Sequence, residues 1–172
     1  MSDTGVLFQG KRFRVVRAVQ TMPDGTLHTR EIVEHPGAVA ILPLLEDGRL
    51  CLIENYRVAA QRGLYEIPAG TLEPGEDPQR AAERELVEET GYRAQTIELL
   101  AKFYTSPGVL SERMYLYLAT GLRAGPPARE AGEDIQNRLV AWADALQMAR
   151  DGRIEDAKTL VGLLYYQAFR QQ

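Results

Sequence analysis

Glu85, Glu88 and Glu89 stand at spacings that bring them together if the chain around them is helical. At about 100° per residue they fall within an arc of roughly 100°. Ala81 and Ala82 share or border that arc, whereas Arg80 and Glu83 belong to the opposite side. Carboxylates on a face of small residues can be approached closely by another layer or by a ligand. Like charges three and four residues apart cost about a few tenths of a kcal/mol per pair in water, and more when partly buried. A hard divalent cation, Mg2+ or Mn2+, offsets that repulsion, because it takes carboxylate oxygens and keeps positions for water and phosphate. The chemistry such a platform suits is cleavage of a diphosphate, whose charge builds on the leaving oxygen. A solvated acidic helix face is the plainer alternative.

The elements that must position these carboxylates are legible on both sides of them. Asp77-Pro78 opens the helix, with an acidic N-cap and a proline in the first turn, and Gly91 closes it. The loop Gly70-Thr71-Leu72-Glu73-Pro74-Gly75-Glu76 leads in and can set a backbone carbonyl beside the carboxylates. Glu76 and Arg84 are a natural pair to tie that loop to the helix. No covalent nucleophile is evident. Cys51 is the only cysteine and lies among Leu50, Leu52 and Ile53, as a core residue would. His28 in a strand and His35 before a turn read as structural or surface residues.

The rest of the chain reads as strands, a helix, strands and two helices. Residues 6–21 and 26–34 form an N-terminal hairpin about the turn Met22-Pro23-Asp24-Gly25. Residues 38–45 are a buried strand, and 49–56 its hairpin partner across Glu46-Asp47-Gly48. Residues 57–63 read as a loop holding Arg57 and Arg62, and 64–69 as a short apolar segment interrupted by Glu66. Strands follow at 96–105, 113–119 and 135–142, and helices at 143–150 and 155–170. The Gly- and Pro-rich charged stretch 123–134 reads as a mobile loop of the kind that often carries function. This order predicts an α+β or layered α/β/α domain with a mixed sheet. A length of 172 residues suits one domain with its own core. The net charge of -4 gives no general attraction to nucleic acid or to an anionic membrane. Without an apolar N-terminal run or a membrane-length segment, the expectation is a cytoplasmic protein.

The stretch 70–92 resembles the Nudix box: Gly, five residues, Glu, seven residues, Arg-Glu, an aliphatic, any residue, Glu-Glu, any residue, Gly and an aliphatic. Gly70, Glu76, Arg84, Glu85, Leu86, Glu88, Glu89 and Gly91 all fit, and Tyr92 departs where an aliphatic is usual. The resemblance implies a Nudix α/β/α sandwich with a mixed sheet and an N-terminal β-hairpin. It implies a hydrolase of nucleoside diphosphates linked to another group. It also implies Mg2+ or Mn2+ held by Glu85 and Glu89, with Glu88 assisting in catalysis and the carbonyl of Ala69 completing the site. Residues 37–172 are then the hydrolase domain, and residues 1–36 antiparallel strands that can serve as an arm swapped within a homodimer.

The likeness extends over roughly residues 10–170 and is similar to the ADP-ribose pyrophosphatase branch at Glu31-Ile32-Val33-Glu34-His35, at Tyr56-Arg57, at Glu66-Ile67-Pro68-Ala69-Gly70 and at Ser106-Pro107-Gly108. It implies substrate contacts from Arg57, Glu66, Pro107 and Glu112. It also implies a catalytic carboxylate on the loop before the last strand, for which Glu133 and Glu130 are the candidates, with Asp134 behind them. The expected reaction is hydrolysis of ADP-ribose to AMP and ribose 5-phosphate. The close alternative is GDP-mannose or another nucleoside-diphosphate sugar, which Lys158-Thr159 does not exclude. A reading of a different class is a non-catalytic nucleotide-binding regulator, and such modules usually lose box carboxylates that this chain keeps.

Overall fold

The computed structural model describes residues 5–11, 13–128 and 134–171. Three strands come first: β1 (Val6–Gln9), β2 (Arg14–Thr21) and β3 (Leu27–Glu34), paired antiparallel in that order. The expected hairpin is β2–β3, closed by a turn in which Asp24 Oδ1 accepts the Thr26 N–H at 2.9 Å. The run 6–21 is not one strand, however. The chain reverses between Gly10 and Phe13, where the Gly10 N–H donates to the Phe13 carbonyl at 2.9 Å. A single glycine among charged residues is enough to break a strand that apolar content alone would join.

The larger part of the chain follows. Strands β4 (Ala38–Pro43), β5 (Arg49–Arg57), β6 (Arg62–Glu66) and β7 (Ala69–Thr71) precede helix α1 (Pro78–Thr90). After it come β8 (Thr96–Tyr104), β9 (Arg113–Thr120), β10 (Ile135–Ala141), α2 (Trp142–Arg150) and α3 (Ala157–Phe169). The stretch 57–63, expected as a loop, is shorter in structure: β5 runs through Arg57 and β6 starts at Arg62, leaving a tight turn in which Gln61 adopts φ 56°. Ladder pairing of Arg57 with Arg62 holds both arginines in strand geometry.

One sheet has the order β7-β4-β9-β8 and is mixed, since β4 and β9 run parallel while their outer neighbours run antiparallel. Strand β4 is buried at every position, which is why its sequence is a continuous apolar run rather than an alternating one. Its side chains nevertheless alternate between two cores. Val39 and Ile41 meet Ala81, Ala82 and Leu86 of α1 on one face. Ala38, Ala40 and Leu42 meet Ala145, Met148 and Leu163 of α2 and α3 on the other. The layers are therefore helix, sheet, helix, the α/β/α sandwich. A second sheet, β10-β5-β6, lies beside it and brings Leu50 and Leu52 into the same core as α2 and α3. Trp142 opens α2, stacks edge-on against Tyr166 of α3 with ring centroids 5.0 Å apart, and donates its Nε1–H to Gln167 at 2.6 Å.

Helix α1 is fixed at both ends by the residues expected to cap it. Asp77 accepts the N–H groups of Gln79 and Arg80 at 3.0 and 3.2 Å. Gly91 adopts φ 77° and returns its N–H to the Val87 carbonyl at 2.9 Å. A Cβ on Gly91 would stand 2.3 Å from the Gly125 carbonyl oxygen, so this position needs glycine for its φ and for its packing alike. Tyr92, the departure from the box, is half-buried and packs in the core beneath α1. Among the described residues, no helix is long and apolar enough to cross a membrane.

Candidate active site

A cleft of about 450 Å3 opens where β5, β7, α1, the β8–β9 connection and the start of α3 converge. Glu85, Glu88 and Glu89 line one wall with Ala69, Gly70 and Thr71. Arg57, Asn55, Asp156, Ala157 and Lys158 line it as well, and so do Thr105 and Glu112 of the β8–β9 connection. Carboxylates and two cations, Arg57 and Lys158, thus line one space of ligand size.

The carboxylate wall is built by α1 and β7 together. The Ala69 N–H donates to Glu89 Oε2 at 2.9 Å, and Glu89 is 4% exposed. Gly70 lies against Glu85 so closely that a Cβ there would stand 1.8 Å from Glu85 Oε1. The strand and the helix thus meet where Gly70 of β7 lacks a side chain, while Ala81 and Ala82 pack against β4 instead. Arg84 is the internal counter-charge. It donates Nε–H and Nη2–H to the two oxygens of Glu76 at 2.9 and 3.0 Å, and Nη1–H to Glu85 and Glu88 at 2.8 and 2.9 Å. These bonds hold Glu76 below the usual carboxylate range, and the same hydrogen bonds to Glu76 raise the Arg84 guanidinium. The expected Glu76–Arg84 tie is therefore present, and Arg84 also answers the repulsion among the box glutamates.

The residues present fit a hard divalent cation. The donors at this wall are carboxylate oxygens and backbone, the set Mg2+ and Mn2+ prefer. The Gly70 position is a cradle that any side chain would fill with a clash against Glu85. Among the described residues no three His, Cys, Asp or Glu side chains already converge as a finished ligand shell. Their oxygens are turned to Arg84 and to the Ala69 N–H instead.

Arg57 and Lys158 both rest on Glu66, whose side chain is 1% exposed. Arg57 donates Nε–H to Glu66 Oε1 and Nη2–H to Oε2, both at 2.7 Å, a bidentate pair. Lys158 Nζ also donates to Glu66 Oε2, and to Asp156 Oδ1 at 2.9 Å. Burial pushes the Glu66 carboxyl upward, but the Arg57 hydrogen bonds and the Lys158 charge outweigh it and hold it below its ordinary value. Asp156 caps α3 through the Thr159 N–H at 2.9 Å, and Thr159 Oγ1 accepts the Ile67 N–H at 2.8 Å.

On the β8–β9 connection, Glu112 accepts the Thr105 hydroxyl at 2.6 Å, with His35 Nδ1 at 3.6 Å from its other oxygen. His35 Nδ1 also accepts the Gly37 N–H at 3.2 Å. Pro107 lies exposed on the β8–β9 connection and outside the cleft lining. Glu66 too is outside the lining, beneath Arg57 and Lys158. Glu130 and Glu133 lie outside the described residues. The segment leading to them is fixed against the end of α1, where the Ala128 N–H donates to the Glu88 carbonyl at 3.1 Å.

The sequence reading gave no role here to Lys158, Asp156 or Asn55. Only one signal pointed to Lys158: a lysine in the first turn of α3 stands against the helix dipole, which favours acidic residues there. Such a placement needs local carboxylates, and Glu66 and Asp156 provide them.

The NUDIX domain family model matches residues 34–161, and the chain belongs to the Nudix family. It is 39% identical over 163 residues to an ADP-ribose pyrophosphatase of Bacillus subtilis (strain 168), covering 94% of this chain and 88% of that protein. It is 39% identical over 166 residues to a methanol dehydrogenase activator of Bacillus methanolicus, covering 95% of this chain and 90% of the relative. A crystal structure described as an ADP compounds hydrolase superposes with a TM-score of 0.84 at 23% identity, over 98% of this chain and 91% of that one, a likeness of fold.

Proposed function

We propose that this protein is a divalent-metal-dependent hydrolase that cuts the diphosphate of ADP-ribose to AMP and ribose 5-phosphate. The observation that carries the reading is the Gly70–Glu85 contact. It places intact box carboxylates against bare backbone, in a cleft that also offers Arg57 and Lys158 to a second phosphate. The relative named as an ADP-ribose pyrophosphatase, covered over most of its length, favours ADP-ribose as the substrate.

In this reading Glu85 and Glu89, with Glu88 assisting and the Ala69 carbonyl, hold Mg2+ or Mn2+. When bound, the cation neutralises charge on the leaving oxygen and makes the attacking water more acidic. Glu85 and Glu88, whose oxygens accept Arg84 N–H groups here, would offer those oxygens to the cation, while Arg84 would remain paired with Glu76. Arg57 binds the diphosphate, and Glu112 shapes the end that takes the terminal ribose, with Pro107 on the same β8–β9 connection but outside the cleft lining. Glu133 or Glu130 accepts a proton from the water. Water oxygen bonds to one phosphorus, and the bridging oxygen leaves with the other phosphate and takes up a proton. Residues 37–172 form the hydrolase domain. Residues 1–36 form an arm whose exposed Val6, Leu7, Phe8 and Phe13 are covered in a homodimer working in the cytoplasm.

The test is a substrate panel of ADP-ribose, GDP-mannose, NADH, diadenosine polyphosphates and an oxidised dNTP, each with Mg2+, with Mn2+ and with chelator, and products identified. AMP released from ADP-ribose well ahead of the others, and only with metal, is the expected result. Preferential cleavage of GDP-mannose, or turnover in chelator, overturns it.

A further inference from the structure

Glu66 is a buried carboxylate that belongs to the cleft only through what it holds. Its two oxygens take two N–H groups of Arg57 and one of Lys158, while Lys158 gives another to Asp156. These bonds use two of the five N–H groups of an arginine and two of the three on a lysine. Both cations line the cleft and Glu66 does not. Arg57 comes from the end of β5 and Lys158 from the first turn of α3, elements that meet at this point.

A simple staple between β5 and α3 would not need this arrangement. Helix α3 is already docked by Thr159 Oγ1, which accepts the Ile67 N–H, and by Asp156, which caps it. A buried ion pair seldom adds more stability than well-packed apolar residues of the same volume. What the carboxylate adds is geometry. A bidentate contact fixes the plane of the Arg57 guanidinium, whose side chain is otherwise 41% exposed. The shared Oε2 sets Lys158 beside it, with remaining donors of both groups available to a ligand in the cleft.

We propose that Glu66 is a positioning residue that does not touch substrate but presents Arg57 and Lys158 as one two-cation clamp for the phosphate farther from the box carboxylates. The start of α3 thereby becomes part of the substrate site. The inference rests on the hydrolase reading above for its ligand, a nucleoside diphosphate.

The probe is ADP, titrated calorimetrically into the full chain without added metal, for the wild type, Glu66→Gln, Lys158→Met and the double variant, with melting curves alongside. Each single substitution is expected to weaken ADP binding about tenfold or more. The double variant is expected to lose less than the product of the two, because both remove the same clamp. With a cleaved substrate, KM rises by a similar factor while kcat changes little. Lys158→Arg, which keeps the charge, recovers part of the binding that Lys158→Met loses, and this comparison stands even if Glu66→Gln does not fold. Wild-type binding by Lys158→Met, losses that multiply independently, or no binding of ADP by the wild type overturns the clamp. Weakened ADP binding in the variants of a protein that does not cleave ADP-ribose supports the clamp and overturns the substrate reading alone.

Discussion

The carboxylate of Glu85 occupies the space in which a side chain on Gly70 would begin: Oε1 lies 1.8 Å from the position of that missing Cβ. The first glycine of the box is therefore required by its neighbour across the helix–strand contact. Gly70→Ala must move Glu85 or part β7 from α1, and Glu85 gives way more easily because it is half-buried. The expected outcome is a loss of kcat/KM of about a hundredfold or more, with a change in stability of only about 1–2 kcal/mol. Steady-state kinetics beside a denaturant melt checks it. An active Gly70→Ala protein would contradict the placement of Glu85 at the reacting centre.

Glu85 and Glu89 separate in what else they do. Glu89 is buried and accepts the Ala69 N–H, so Glu89→Ala strands a backbone donor and is expected to cost about 1–3 kcal/mol in addition to turnover. Glu85→Gln keeps its shape at a more open position and is expected to abolish turnover with little change in melting temperature. Equal destabilisation by both substitutions would show that the helix–strand contact does not depend on the buried acid.

Glu66 makes stability depend on pH in one direction. Its folded carboxyl lies below the ordinary value of 4.5, so the folded state binds its proton less readily than the unfolded chain does. Its contribution is fully present above about pH 4.5 and is lost as pH falls through the lower folded value. Urea unfolding of the wild type and of Glu66→Gln between pH 7 and pH 3 is expected to show a gap that narrows only at the acid end. A gap that stays constant to pH 3 is the result that would argue otherwise.

Gly91→Ala tests the helix stop. The residue has φ 77°, and an added Cβ meets the Gly125 carbonyl oxygen at 2.3 Å and Pro127 N at 2.8 Å. Strain and clash together are expected to cost more than about 1 kcal/mol, since the substitution fails on both counts. Thermal unfolding gives the number directly, and an unchanged melting temperature would sink this account of the cap.

Local periodicity made part of the molecule legible in advance. The spacing of Glu85, Glu88 and Glu89, the caps Asp77 and Gly91 and the continuous apolar run of β4 all announce themselves within a few residues. The layered fold follows from them. Pairings across distance did not announce themselves. Glu66 was visible as an acid in an apolar segment and as a point of family likeness, but nothing nearby in the chain says that it holds Lys158, 92 residues on. Arg84 was expected to hold Glu76, and its contacts with Glu85 and Glu88 appear only once the side chain is placed. The first strand was misjudged because Gly10 breaks a run that composition joins.

Trp142 is the only tryptophan in the chain, and its indole is bonded to one residue of α3 and stacked on another. Its emission is thus a native optical signal of whether α2 and α3 are docked. Because α3 also delivers Lys158 to the cleft, fluorescence recorded without any label reports on whether that cation is in place.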